Sequence, residues 1–492
     1  MKDKKVAVVI IDYKSHLNDF EYTSIDRCFD VLRNRDIFVM LPEGTSNHEY
    51  VYIASLYGTN VRYIYDNEGW FSSWAKYSHY CFRPEFYQMF SEYEYMLIYQ
   101  TDCYIFEDNL DYFINLNYNY YGAPWYQFRK CGNGGFSLRK IDAFIENTTN
   151  RPDRDALVNG KGMLVEDYIF SILEHHIENI CPEDIGLEFS LDDWLKEYTP
   201  LLKKMPMGCH GWSRDEVRWY WKDKIAVKKN PFNARVLILN MSCNLDKYVE
   251  QRNLVNETFG KDIREGKYPG FEYYFFTAGN TDVIDETNRI IYTVSDDTLK
   301  GTSDKTINTL RLISKEKIDY DFVIITNTST YFNMKLLYKF FNSGYANSRR
   351  VYGGDFQYPI LLAPFFRGNF MVFPKNIIDK ILRNYYKHRT ENDIDLFTNL
   401  LYSMGYYDEL LRTFRQVNCA IELNAFNLQE KDKYFYVSLK DRGSDAYVNI
   451  DNIKYLHSLY DNFDENVDLE GLSGPVRIVS TILGHYRIEK LD

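Results

Sequence analysis

The sequence predicts an α/β protein made of two tandem, doubly wound domains. Three observations carry this prediction. Each half opens on a short, fully apolar run. Strand-like runs alternate with helix-like segments. The middles of the two halves repeat one another in the same order. Short runs apolar on both faces suit parallel strands covered by helices on each side, and strand–helix–strand alternation is the pattern of βαβ units.

Taken in order, Lys5 to Asp12 reads as the first strand, Thr23 to Arg33 as a helix, and Ile37 to Leu41 as a second strand stopped by Pro42-Glu43-Gly44. Ala234 to Asn240 opens the second half as the first strand did the first half. In the middles, Tyr95 to Tyr104 aligns without a gap on Phe322 to Tyr331. A helical stretch follows each, Asn109 to Asn115 and Leu336 to Asn342. A Tyr-Gly step comes next (Tyr121-Gly122, Tyr352-Gly353). It is followed by a Gly/Asn turn before a strand (Gly132 to Phe136, Gly368 to Phe370) and an acidic helix start (Glu166-Asp167, Asp393 to Asp395). Asp102 to Glu166 and Ser329 to Asp393 are both 64 positions. The polar, proline-bearing stretch 228–233 places the boundary so that the domains are 1–230 and 231–492, each long enough to bury a core.

Composition narrows the function. The chain of 492 residues carries a net charge of −12 and no basic run, which argues against a nucleic-acid partner. No apolar run approaches the ~18 residues that span a bilayer, and the apolar start is too short for a signal peptide. The eight cysteines form no C-x-x-C pair, so they read as reduced, buried side chains of a cytoplasmic protein. Aromatics are abundant, with 44 Tyr and 33 Phe. Tyr104, Tyr121, Trp125, Tyr126, Trp212, Tyr331 and Phe366 lie in segments expected to border clefts, where rings can stack on a nucleobase or a sugar.

In the first half, Asp102 follows a buried strand and so falls at the carboxyl edge of the sheet, where open α/β folds bind ligands. It can hold Mg²⁺ or Mn²⁺ on a diphosphate, or simply cap the turn. The glycines of Gly132-Asn133-Gly134-Gly135 allow close backbone approach to a ligand, or make a tight hairpin. Glu166 and Asp167 can act as a general base, or stabilise a helix N-terminus. His210, in a loop between Gly208 and Gly211, is a candidate metal or phosphate ligand or a structural histidine.

These residues together resemble a family of bacterial glycosyltransferase-like proteins with a GT-A-type nucleotide-sugar fold. The motifs are Tyr95 to Asp102, Gly122-Ala123-Pro124-Trp125, Gly132 to Arg139, Glu166-Asp167 and Cys209 to Trp212, and the resemblance covers roughly residues 1–225. It implies that Asp102 stands in the Asp-x-Asp metal motif and that Glu166 or Asp167 is the base of an inverting displacement. His210 would be the late metal or diphosphate ligand, and Asp12, Tyr13, Gln100, Gly134 and Gly135 would line the nucleotide-sugar site. The second Asp of the motif is replaced, since the segment reads Asp102-Cys103-Tyr104.

In the second half the strand end, Thr326 to Thr330, carries no carboxylate. Asn327 and Ser329 can contact a diphosphate or cap a helix. Lys305 can neutralise a diphosphate or sit on the surface. Asp393 and Asp395 are candidate bases, or helix-start acids. With Gly368-Asn369, these segments resemble bacterial relatives of the beta-1,3-galactosyltransferase and fringe-like group over about 233–425. That implies a second GT-A-type domain in which Lys305, Asn327, Ser329, Gly368 and Asn369 bind donor. The expectation is therefore two nucleotide-sugar-binding domains in a bifunctional glycosyltransferase. It would use a nucleotide-sugar donor of the UDP-sugar type, with Mn²⁺ or Mg²⁺ in the first domain. It would serve a glycan or lipid-linked acceptor in bacterial surface polysaccharide synthesis, in the cytoplasm or peripheral to the inner membrane face. The alternatives are one catalytic domain with the other binding acceptor, and a non-catalytic carbohydrate-binding scaffold.

Overall fold

The computed structural model describes residues 4–72, 74–160, 164–298, 301–346, 351–353, 356–357, 365–366, 370–388, 414–417, 419–420, 431, 434, 436–438, 450–460, 463–464, 467, 473–480 and 486–490. The chain separates into two compact units, Met1–Phe232 and Asn233–Asp492. Each is an α/β unit with a Rossmann-like sheet.

In the first unit, β1 (Lys4–Ile11), β2 (Asp36–Pro42), β3 (Val61–Asp66) and β4 (Tyr93–Tyr99) run parallel. The expected apolar run is buried on both faces. Val6, Val8 and Ile10 enter one core, and Ala7 and Val9 enter another on the opposite side. At ~1.5–3 kcal/mol for each fully buried large aliphatic side chain, this two-sided burial fixes the strand centrally. The helix Asp19–Val31 begins earlier than its apolar pattern indicates. Asn18 caps the backbone N–H groups of Phe20 and Glu21, and Glu21 reaches back to Asn18, forming a capping box.

Short strands follow: β5 (Cys103–Ile105), β6 (Tyr120–Tyr121), β7 (Pro124–Trp125) and β8 (Lys130–Cys131). Next come β9 (Phe136–Lys140), β10 (Ser190–Leu191) and β11 (Gly208–His210). The main sheet has the order β3-β2-β1-β4-β9-β6. It is mixed, because β9 pairs antiparallel with β4 and Tyr99 faces Phe136. This reversal positions the site. An antiparallel β9 starts where β4 ends, so the glycines before Phe136 and the Asp102 turn after Tyr99 share one edge. The small sheet β10-β11-β5 completes that edge.

The second unit repeats this plan in its described part. The strands are β12 (Val236–Met241), β13 (Phe271–Gly279), β14 (Val283–Asp285), β15 (Ile290–Val294), β16 (Phe322–Asn327) and β17 (Thr330–Phe332). The large sheet runs β14-β15-β13-β12-β16. It continues through Met371–Pro374, Val351–Gly353, Phe414–Val417, Ser473–Ser480 and Tyr486–Lys490. Val236 lies opposite Phe322 as Val6 lies opposite Tyr95. Ser329 thus stands at the same register as Asp102, seven positions beyond that pairing in each case.

Candidate functional site

The site of the first unit gathers at the carboxyl edge of the sheet. His210 is not in a loop, as expected, but is the last residue of β11. There it pairs antiparallel with Cys103, next to Asp102. Hydrogen bonds between the short strands, rather than any local signal, bring these distant residues together. The His210 Nε2 lies 3.3 Å from Asp102 Oδ1 and 3.2 Å from Gln100 Oε1, and its Nδ1 lies 3.2 Å from Asp192 Oδ2. Both ring nitrogens thus face oxygen acceptors, the pattern of an imidazolium. Burial opposes that charge, but Asp102 and Asp192 outweigh it, so the pKa is raised to about 9. The Asp192 carboxyl stays below its ordinary range despite burial, because Arg214 and His210 face it. Arg214 Nη1 donates to Asp192 Oδ1 at 3.0 Å, and its Nη2 lies against the His210 ring. Asn133 Nδ2 donates to Asp192 Oδ2 at 2.5 Å, which ties the glycine loop to the same carboxylate.

The glycines close the floor. A Cβ on Gly135 would stand 2.2 Å from His210 Nε2, so the ring lies directly against bare backbone. The N–H of Gly134 donates to Asp167 Oδ2 at 3.0 Å. Glu166 and Asp167 open the helix Glu166–Ser171. That helix is shorter than its pattern suggests. Ile169 and Phe170 enter the core, whereas Leu173 is exposed and lies beyond the helix end. The Glu166 side chain is buried. Ser78 Oγ donates to its Oε2 at 3.1 Å, and Arg139 Nη2 is 3.8 Å from its Oε1. Burial, reinforced by the Asp167 charge, raises the Glu166 pKa to about 7, and burial also raises that of Asp167. Arg139 is fully buried and donates to Tyr87 Oη at 3.2 Å and to Gly134 O at 3.4 Å. It links the glycine loop to the carboxylate pair.

Among the described residues, Asp102, Cys103 and His210 form a group whose ligand atoms lie within 4.8 Å of one another. Cys103 does not suit a hard cation. Its buried thiol donates to Gly135 O, and burial, with Asp102 nearby, pushes its pKa well up. Asp102 and His210 suit a divalent ion, with Nε2 exchanging its proton for the metal.

The other expected residues fall as follows. Asp12 lies just beyond β1, buried. Its carboxylate accepts from Tyr50 Oη and Tyr13 N, both at 2.8 Å, and burial raises its pKa although Lys14 opposes this. Tyr121, Trp212 and Tyr331 do not border a cleft. Each is at most 2% exposed and belongs to a hydrophobic core. Tyr104, Trp125 and Tyr126 are partly exposed. Phe366 lies in the short strand Phe365–Phe366. In the second unit, Lys305 is 1% exposed and already committed, with its Nζ 2.8 Å from Asp297 Oδ1 and 3.0 Å from Ser242 O. Asn327 Oδ1 accepts from the N–H of Ser329 at 3.1 Å and from its hydroxyl, so the two residues form a turn. The cap of the following helix is instead Asn333. Gly368, Asn369, Asp393 and Asp395 lie outside the described residues.

Sequence reasoning missed Asp192, Arg214 and Ser78. Asp192 and Arg214 sit in ordinary polar contexts, and only the pairing of β10, β11 and β5 shows that they enclose His210. The one available signal was the presence of Arg214 four positions after His210.

Fold and site together define an α/β protein with a Rossmann-like sheet in each unit and, in the first, an acid–histidine–glycine site at the carboxyl edge. A family model described as "Protein of unknown function (DUF5672)" matches residues 60–210, the segment that holds Asp102, Gly134, Glu166, Asp192 and His210. No curated protein matches the chain in sequence. Solved structures similar to it include the bifunctional glycosyltransferase WbbM in its apo form, at 12% identity and a TM-score of 0.31. That match covers 44% of this chain and 47% of the other, so the chain spans about half of that protein's length. Mouse xyloside xylosyltransferase 1 is similar at 10% identity and a TM-score of 0.30, covering 42% of this chain and 97% of that one. The glycosyltransferase GlyE of Streptococcus pneumoniae TIGR4 is similar at 11% identity and a TM-score of 0.31, covering 64% and 89%.

Proposed function

We propose that the first unit is a glycosyltransferase using a nucleotide-sugar donor, of the UDP-sugar type. The observation that carries this is the convergence at one sheet edge of Asp102 and His210 with the Gly134-Gly135 turn and the Glu166–Asp167 pair. A diphosphate placed over the turn meets the cationic His210 and Arg214. Fixed positive charge there stabilises a leaving diphosphate without reorganisation. Mn²⁺ or Mg²⁺, when bound, would be held by Asp102 and His210 and would neutralise the same leaving group. Glu166, with a pKa near operating pH, accepts the proton of an acceptor hydroxyl as it attacks the anomeric carbon, an inverting displacement. Asp167 holds the glycine turn and keeps the Glu166 pKa up. The acceptor is a glycan or a lipid-linked sugar of a surface polysaccharide, met in the cytoplasm or at the inner membrane face. No described helix is long and apolar enough to cross a membrane.

A bifunctional enzyme requires the second unit to transfer sugar as well. The Lys305–Asp297 pair favours the narrower reading, in which only the first unit catalyses and the second binds acceptor. That lysine's charge is already matched, and the Asn327–Ser329 turn offers no carboxylate. The test is nucleotide release from a panel of UDP- and GDP-sugars, with and without Mn²⁺, for the wild type, Asp102→Ala, Glu166→Ala and Asp393→Ala. Turnover lost in the first two variants and kept in Asp393→Ala supports a single catalytic unit. Loss of part of the donor range in Asp393→Ala supports two. No turnover with any donor refutes the glycosyl-transfer reading.

A further inference from the structure

A tight hairpin carries rings out beside this site. β7 and β8 enclose residues 126–129, and β8 runs directly into the glycine turn. Tyr126 stacks on Trp194, with ring centroids 5.9 Å apart and planes 26° apart. Phe128 packs on Tyr168 at 5.5 Å, and Tyr168 follows Asp167 in the chain. Trp194 is 37% exposed and Phe128 40%. Trp194 is also held at φ 64°, ψ 34°, in the left-handed region. For a bulky residue that conformation is strained and persists only where the surroundings hold it. The two residues before Trp194 belong to the site. Asp192 is bound by His210, Arg214 and Asn133, and Asp193 pairs with Arg214 at 3.4 Å. The rim of the rings is polar and of both signs. The exposed Asp193 directly precedes Trp194, and Arg129 lies over Tyr126 at 4.7 Å and pairs with Glu183.

We propose that Trp194, Tyr126, Phe128 and Tyr168 form a pyranose-binding platform, the acceptor subsite of the first unit. It stacks the apolar C–H face of a sugar on the rings, while Asp193 and Arg129 bond its hydroxyls. The word acceptor rests on the glycosyl-transfer reading. Sugar binding itself rests on the platform. Sheet order supports the assignment. Asp12 follows β1, Asp102 follows the neighbouring β4, and the glycine turn precedes the next strand, β9. The platform hairpin leads into that turn, and Tyr168 adjoins the carboxylates that must face the acceptor hydroxyl. A rim whose charges are of both signs and already paired suits neutral hydroxyls better than the phosphates of a nucleotide.

The experiment is saturation-transfer NMR on the full chain without donor. The probes are the methyl glycosides of glucose, galactose, N-acetylglucosamine and mannose, with UMP as a contrast. At least one glycoside is expected to bind. Binding should weaken at least about five-fold in Trp194→Gly and in Tyr126→Ala, since a ring contact is worth about 1 kcal/mol. Trp194→Phe should keep most of it. Glycine accepts φ 64° without strain, so Trp194→Gly should melt within a few degrees of wild type and is not lost to misfolding. Binding of no glycoside, unchanged binding in Trp194→Gly, or a UMP signal that Trp194→Gly abolishes would each overturn the platform. Asp102→Ala should bind the glycoside as wild type does. If sugar binding depends on Trp194 while no donor is ever turned over, the platform stands and the transferase reading falls.

Discussion

Replacing Gly135 by alanine tests whether the site is built as described. The added Cβ would meet His210 Nε2, Cε1 and Cδ2 at 2.2, 2.4 and 2.5 Å. Ordinary contact begins at 3.4 Å, so either the ring or the turn must retreat by about 1.2 Å. The ring has no slack. Asp192 holds one nitrogen at 3.2 Å, Asp102 and Gln100 hold the other at 3.3 and 3.2 Å, and Arg214 lies against its face. A shift of that size takes these contacts beyond hydrogen-bond reach. The turn is no freer, because Gly135 O accepts from Gln100 N at 3.0 Å and from the Cys103 thiol. Overpacking of this kind costs about 1–3 kcal/mol. In a unit of this size that corresponds to roughly 2–4 °C of melting temperature per kcal/mol. A 1 Å misplacement of a positioning group costs on the order of 100-fold in rate. The assays are differential scanning calorimetry of the full chain and nucleotide release under donor saturation. Gly135→Ala should melt several degrees lower and lose about two orders of magnitude in turnover, with the His210 imidazole NMR resonances shifted. A variant with wild-type melting and wild-type His210 resonances would refute the packing of the ring on the turn.

Further expectations concern other parts of the molecule. With the Glu166 pKa at about 7, the rate should rise with pH through that value and level off above it. Glu166→Gln should remove this limb, and Ser78→Ala should move it to higher pH, because the serine hydroxyl stabilises the charged carboxylate. For stability, the sign is the reverse of an ordinary salt-bridged acid. The folded pKa lies above the unfolded 4.5, so the folded state holds the proton more tightly. Glu166 should therefore lower stability as pH rises from 4.5 to about 7, a slope that Glu166→Gln should flatten in pH-resolved denaturant melts. Asp192→Asn should weaken the hold on both His210 and Arg214. Its turnover should fall at least about ten-fold, mostly in kcat, if the two cations act on the transition state, and an unchanged kcat would count against that role. Asp297→Ala should strand the buried Lys305 charge in the second unit. The cost falls at the lower end of roughly 3–5 kcal/mol, because Asp297 keeps one side to water. Urea unfolding of the full chain would show it, and restoration by the double variant Asp297→Ala/Lys305→Met would confirm the cause.

The legible parts of this protein were those dictated by short-range pattern. Val6 to Ile11 and Val236 to Met241 declared themselves because a parallel strand covered on both faces must be apolar throughout. The edge position of Asp102 followed from a carboxylate ending such a strand. The Gly132 to Gly135 turn was visible as a glycine cluster before a strand, although the close approach made at Gly135 is that of the His210 ring. What failed was the cleft reading of Tyr121, Trp212 and Tyr331. Tyr121 and Trp212 look like cleft rings in sequence, yet Tyr121 sends its hydroxyl to Phe113 O inside the core and Trp212 packs against Phe20. Sequence reports that a ring is present, and burial decides whether it can meet a ligand.

The sequence by itself determined the alternation of elements, the repeated register that sets Ser329 where Asp102 stands, and the acidic and glycine-rich segments that carry the chemistry. Each of these is encoded within a few neighbouring residues. Tertiary structure alone decided the rest. It put β9 antiparallel to β4, so that Gly135 O accepts from Gln100 N and the Cys103 thiol on either side of Asp102. It paired β11 with β5, so that His210 stands beside a carboxylate more than a hundred residues away. It buried Lys305 on Asp297 instead of leaving it for a phosphate. These outcomes depend on hydrogen-bond pairing between strands distant in sequence and on desolvation at their contacts, and neither quantity is written in any local stretch of the chain.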